Sequence, residues 1–327
     1  MPYLEQTSIL AKILNIILTF LLVILLIVTS YYLYLNIPSP IEDLKINLNQ
    51  PSSQSPILSK SNQFYPNMKF NHNTITYGIN QDCSQEQKER IVNAFTEIHN
   101  KVPILRFLSS FSSSDIEITC SEGKKPDTNT DGKKYFIAGE GGAKEIIQSG
   151  DYHLITEGVV YLFKENKNAK KCSYPNIEVH EILHVLGFDH NENPSSIMYP
   201  FLTDCNQTLD QSIIDELNRL YSINNLPDLT FKNFTATKSG RYLNFNLTIR
   251  NSGSITSKPF LLTILDNEDI VETREIKKIE FGAGITLSTT NLKLKRKNPD
   301  KIQFILDQED KIKEFDETNN IAEIKLN

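Results

Sequence analysis

The chain has 327 residues, 39% hydrophobic and 23% charged, with a net charge of -6 at pH 7. That length exceeds what one compact core usually holds, so at least two folded units are expected. Lysines alternate with carboxylates, as in TREIKKIE and DQEDKIKEF, which leaves no phosphate-tracking basic surface and argues against a nucleic-acid binder.

From Ile13 to Leu35 no residue is charged, and this segment is long enough to cross a hydrocarbon core. The following YYLYLNIPSP lacks the small-residue pattern of a signal-peptidase site, which favours an uncleaved transmembrane anchor over a removed signal. Lys12 precedes the span, whereas Glu42 and Asp43 come before Lys45 on its far side. This bias predicts a cytoplasmic tail over 1–12 and an ectodomain outside the cell, with Tyr31, Tyr32 and Tyr34 at the outer interface. Residues 36–62 carry Pro38, Pro40, Pro51 and Pro56 among serines, the composition of an extended stalk.

Regular structure is predicted next. MKFNHNTITYGI reads as a strand. SQEQKERIVNAFTEIHNKV reads as a helix with a Ser84–Gln87 capping box and Ile91, Phe95, Ile98 and Val102 on one face. DIEITC and ITEGVVYLF read as two further strands. Between them DTNTDG places Asp127, Asn129 and Asp131 as in the first half of a calcium loop. The twelfth position is Ala138, so an EF-hand is rejected; a polar turn is the preferred reading and a looser calcium site the alternative.

All four cysteines (Cys83, Cys120, Cys172 and Cys205) follow the apolar segment, and an even number in an exported chain implies two disulfides. Of the three connectivities, Cys83 with Cys120 and Cys172 with Cys205 keeps each bridge within one half of the expected enzyme. Free buried thiols are the alternative. N-x-S/T sequons stand at Asn206, Asn233 and Asn246.

Three of the six histidines fall in HEILHVLGFDH, residues 180–190. A helix through His184 would project His180 and His184 from one face, because they are four positions apart. Gly187 would end that helix with positive φ and let His190 return as a third ligand. Three imidazoles leave the fourth position of a zinc ion open, and Glu181, beside the first of them, is the expected general base on a water acidified by the metal. Met198 follows in SSIMYP. From about Leu226 onward, roughly seven short alternating runs separated by turns such as NSGS predict an all-β, immunoglobulin-like sandwich.

HExxHxxGxxH with a following methionine resembles the signature of the metzincin zinc peptidases, and IMYP is most similar to the matrixin branch. The elements of residues 63–223, closing with the helical LDQSIIDELNRLY, fall in matrixin order. The resemblance implies an α+β zincin-like catalytic domain with a mixed sheet and three helices. It also implies one catalytic zinc held by His180, His184 and His190, catalysis by Glu181, and Met198 as an apolar floor. It places an extended protein or peptide substrate along the edge strand GVVYLF, with a specificity pocket shaped by YPFLTD. Asn191 stands where matrixins usually carry serine or threonine, and no cysteine switch, structural-zinc histidines or hemopexin domain is found. LPDLTF, IRNSGS and FDETNNIAEI resemble the CARDB module, over 226–327, a spacer or a binder of a cell-surface ligand. The leading expectation is a membrane-anchored extracellular zinc endopeptidase. A non-catalytic adhesion or scaffold protein with a structural metal is the rival, and an endopeptidase that sheds its own ectodomain at the stalk is a third reading compatible with the first.

Overall fold

The computed structural model describes residues 3–37, 39–48, 62–122, 127–128, 134–135, 137–163, 172–202 and 205–326. Helix α1 (Tyr3–Asn36) is long and apolar enough over Ala11–Asn36 to cross a membrane, and side chains along it such as Phe20, Leu22 and Ile24 are exposed.

The chain then enters the C-terminal sandwich. Strand β1 (Glu42–Asp43) and strand β2 (Ile46–Leu48) are edge strands of its two sheets. The expected stalk over 36–62 is therefore corrected in its first half, where apolar Leu44, Ile46 and Leu48 pack on the sandwich core. Residues 49–61 lie outside the described ones.

The unit preceding the sandwich is one sheet with helices against it. Its strands are β3 (Met68–Phe70), β4 (Thr74–Ile79), β5 (Arg106–Ser109), β6 (Ile116–Ser121), β9 (Gly139–Ser149) and β10 (Tyr152–Phe163). A separate short pair is formed by β7 (Asp127–Thr128) and β8 (Lys134–Tyr135). The sheet order is β3-β10-β6-β4-β5, all parallel, with β9 antiparallel to β10. The run MKFNHNTITYGI is two strands rather than one. The turn at Asn71–Asn73 sends β3 to β10 and β4 to β5 and β6.

Helix α2 (Gln85–Lys101) begins at Ser84, whose side chain and that of Gln87 complete a capping box, and it buries Ile91, Ala94, Phe95 and Ile98. Helix α3 (Asn176–Val185) carries the metal-ligand motif, and α4 (Gln211–Ser222) packs Ile213, Leu217 and Leu220 into the same core. Disulfides join Cys83 to Cys120 and Cys172 to Cys205. The first ties the start of α2 to β6, and the second ties the approach to α3 to the loop before α4.

Strands β11 (Leu229–Ser239), β12 (Tyr242–Asn251) and β15 (Gly284–Lys293) form one sheet of the sandwich with β1. Strands β13 (Phe260–Asp266), β14 (Asp269–Ile276), β16 (Lys301–Leu306) and β17 (Ile321–Lys325) form the other with β2. Inward residues alternate along β12 (Leu243, Phe245, Leu247, Ile249) and β16 (Ile302, Phe304, Leu306), the period-two pattern of a half-buried strand.

Candidate metal centre and active site

Every residue of helix α3 except Ile177 is buried, so its polar residues need partners. Glu178 receives a two-pronged ion pair from Arg90 of α2, with Nε–Oε1 at 2.8 Å and Nη2–Oε2 at 3.0 Å. The third arm of Arg90, Nη1, donates to Cys172 O at 2.8 Å. This clamp orients α3 against α2 and was not legible in the sequence, since its members lie 88 residues apart.

His180 and His184 leave one face of α3, as their spacing requires. Beyond Leu186 the chain reverses at Gly187, where φ is +98° and a Cβ would lie 2.8 Å from Met68 Cγ, so no larger residue fits that turn. His190 returns to the same point. The three Nε2 atoms are 3.0 Å (180–184), 3.2 Å (180–190) and 3.2 Å (184–190) apart. Ligands about 2.0–2.1 Å from a tetrahedral zinc would lie about 3.3 Å from one another, so the triad matches that ion.

The outward nitrogens strengthen the match. His180 Nδ1 donates to Ile197 O at 2.6 Å and His184 Nδ1 to Phe188 O at 2.7 Å, which directs each Nε2 lone pair inward. Burial holds His180 down at about 4, aided by the neighbouring histidines, and burial also lowers His184. Both are therefore neutral, the form that binds metal. No other His, Cys, Asp or Glu joins the group among the described residues.

The loop from His190 to Met198 is closed by Asn191. Its N–H donates to Met198 O at 2.9 Å, and its Nδ2 donates to Ser196 Oγ at 2.7 Å. Ser196 Oγ in turn bonds Asp210 at the start of α4 and accepts from Met198 N–H. Met198 is fully buried in the core that holds α3. From the other side Asn62 Nδ2 donates to His190 O at 3.0 Å, and Phe64 lies against His184 with ring centroids 5.7 Å apart.

Glu181 lies beneath the start of β9. A Cβ at Gly139 would fall 2.7 Å from Glu181 Cγ, and one at Gly141 would fall 2.2 Å from Glu181 O. The glycines let the strand lie directly on the helix. Burial pushes the Glu181 carboxyl up to about 8, reinforced by Glu140 and Glu178 and opposed by a hydrogen bond from Gly141 N–H.

A family model described as Matrixin matches residues 69–222. Those residues are a matrixin zinc-peptidase domain. A second model, CARDB, matches residues 226–324, so the matrixin domain is followed by a CARDB domain. No curated protein matches the chain.

One expectation about the matrixin domain changes. The strand containing GVVYLF is interior, with β6 on one side and β9 on the other, so it cannot be the edge strand. The edge next to the site is β9, whose glycine-rich GEGGA carries little strand signal because glycine lowers β propensity. Of YPFLTD, Phe201 and Leu202 are exposed, while Thr203 and Asp204 lie outside the described residues. Asn129 and Asp131 of the calcium alternative also lie outside them, and only the backbone of Asp127 is described, paired with Tyr135.

Proposed function

We propose that this protein is a membrane-anchored endopeptidase whose catalytic domain acts outside the cell, with Glu181 as general base and then general acid. The single observation that carries the reading is a three-histidine set joined by no fourth His, Cys, Asp or Glu among the described residues, with a carboxylate one residue from the first histidine. A purely structural zinc takes four protein ligands, which weighs against a scaffold.

Zinc at the triad would polarise the scissile carbonyl and lower the pKa of a coordinated water. Glu181 would accept a proton from the attacking water and deliver it to the departing amine nitrogen. His180 and His184 hold their Nε2 atoms through backbone carbonyls, so their aim does not depend on mobile side chains. An extended substrate would pair with the far edge of β9, which has no strand beyond it among the described residues. Backbone pairing there is indifferent to sequence, so preference would come from side-chain pockets.

The anchor reading rests on the exposed apolar surface of α1 and on two disulfides, which belong to a chain in the secretory pathway. Within it, 13–35 is the span, 63–223 the peptidase and 226–327 the C-terminal module. Gly240, just before β12, lies against Ile37, and Gly253, just after it, accepts from Ser149, so on this reading the module sits next to the anchor and the peptidase beyond it, the reverse of their order along the chain.

The test is casein cleavage by the full-length chain in detergent, with zinc, beside Glu181→Ala. The expected result is cleavage by the wild type alone at equal zinc content. Equal rates in both proteins, or none in either with zinc bound and short peptides also uncut, would overturn the assignment.

A further inference from the structure

The turn joining β9 to β10 is seated in the C-terminal sandwich. Ser149 is fully buried, and its Oγ donates to Gly253 O at 2.5 Å, with Asn251 O at 3.3 Å. Gly150 has φ +56°, and a Cβ there would be 2.4 Å from Ser252 O. Facing it, Gly282 of the sandwich has φ +71°, and its Cβ would be 2.8 Å from Ile147 Cγ2 and 2.9 Å from Gln148 O. Each side thus presents bare backbone to the other. Beside them the Tyr152 ring stacks on Phe315, with centroids 5.6 Å apart and an interplanar angle of 20°.

The socket is rigid in its own right. Asn251 is fully buried, its Oδ1 accepting from Asp228 and Gly253 N–H at 3.1 and 3.0 Å. Its Nδ2 donates to Ile255 O and Ile279 O at 2.8 and 2.9 Å. By contrast β9 has one strand neighbour among the described residues, β10, and their pairing slips between Ile155 and Gly158. The same strand runs from Ser149 in the socket to Gly139 and Gly141 on Glu181.

We infer that the sandwich is a positioning element of the active site: its socket around Asn251, Gly253, Gly282 and Phe315 sets where β9 lies above Glu181. A strand fixed at its turn, with one irregular strand neighbour among the described residues and glycines rather than side chains where it crosses α3, takes its alignment from the fixed end. The socket residues touch neither the triad nor Glu181, so they act through β9.

The test uses the full-length zinc-loaded chain in detergent and the variants Phe315→Ala, Ser149→Ala and the conservative Phe315→Tyr. Hydrogen exchange of the β9 amides is the primary readout. The expected result is faster exchange over Gly141–Ser149 in the two alanine variants, with α3, β12 and zinc content unchanged and Phe315→Tyr behaving as wild type. The kinetic arm rests on the peptidase reading. KM for a peptide long enough to lie along β9 should rise about fivefold or more, the lower range of intersite coupling, with kcat unchanged. Unaltered β9 exchange in both alanine variants would overturn the inference, as would acceleration spread evenly through both domains. A wild type that cleaves nothing while β9 exchange responds would remove the peptidase reading and leave this one standing.

Discussion

The two sides of the metal centre are built in opposite ways. The floor, from His180 to His190, takes its geometry from local rules: two ligands one helical turn apart, a glycine reversal, and histidine N–H groups bonded to carbonyls four and seventeen residues on. The rim, β9, takes its geometry from partners far away in sequence, with Glu181 beneath one end and Ser252 against the other. A site can therefore have ligands that are obvious in the sequence and a neighbouring strand that is not.

Substitutions on each side sharpen that contrast. The largest effect belongs to the floor. Glu181→Gln should lower kcat by about 10²–10⁴-fold, the usual worth of a positioned acid–base group, while zinc content measured by metal analysis stays at one per chain. Gly141→Val comes next. Its Cβ would fall 2.2 Å from Glu181 O, so the rim must lift, and kcat/KM should fall about a hundredfold with the triad still loaded. Zinc loss in that variant would mean that floor and rim are not separable. Asn191→Ala should weaken zinc binding about tenfold in competition with a chelator, because it frees the loop that returns His190.

A fourth substitution tests what orients the floor. Arg90→Leu leaves Glu178 buried without its partner, and denaturant titration should show a loss of about 3 kcal/mol. The smallest effect lies in the sandwich. Burial raises Glu314 to about 8, with Leu229 N–H and Asn320 opposing and Glu317 and Asp228 adding to it. The folded state therefore holds a proton that the unfolded state releases near 4.5, and stability contributed by that proton is lost as pH rises from about 4.5 through about 8. Glu314→Gln should flatten this slope in thermal melts taken across the window.

Legibility followed the range of the interactions. The capping box at Ser84 and Gln87, the ligand helix and the alternation of β12 and β16 depend on neighbours within a few residues, and each is visible as a spacing. β9 carries no strand signal because its glycines, two of which lie against Glu181 (Gly139 on its side chain, Gly141 on its backbone), erase the β-branched pattern that marks a strand. The turn at Asn71–Asn73 was missed because two strands of like composition read as one. Glu42–Leu48 looked like linker because five paired residues at two sheet edges are too few to show a period.

By itself the sequence determined the chemistry: three histidines and a glutamate at fixed helical and turn spacing, an apolar first helix, and an alternating C-terminal module. These follow from local geometry, which spacing encodes. Tertiary structure decided the rest. It selected one cysteine pairing of three, put β9 rather than β10 at the edge, and drew the segment after α1 into the sandwich. Each depends on which distant surfaces bury one another, and such contacts leave no periodic trace along a single chain.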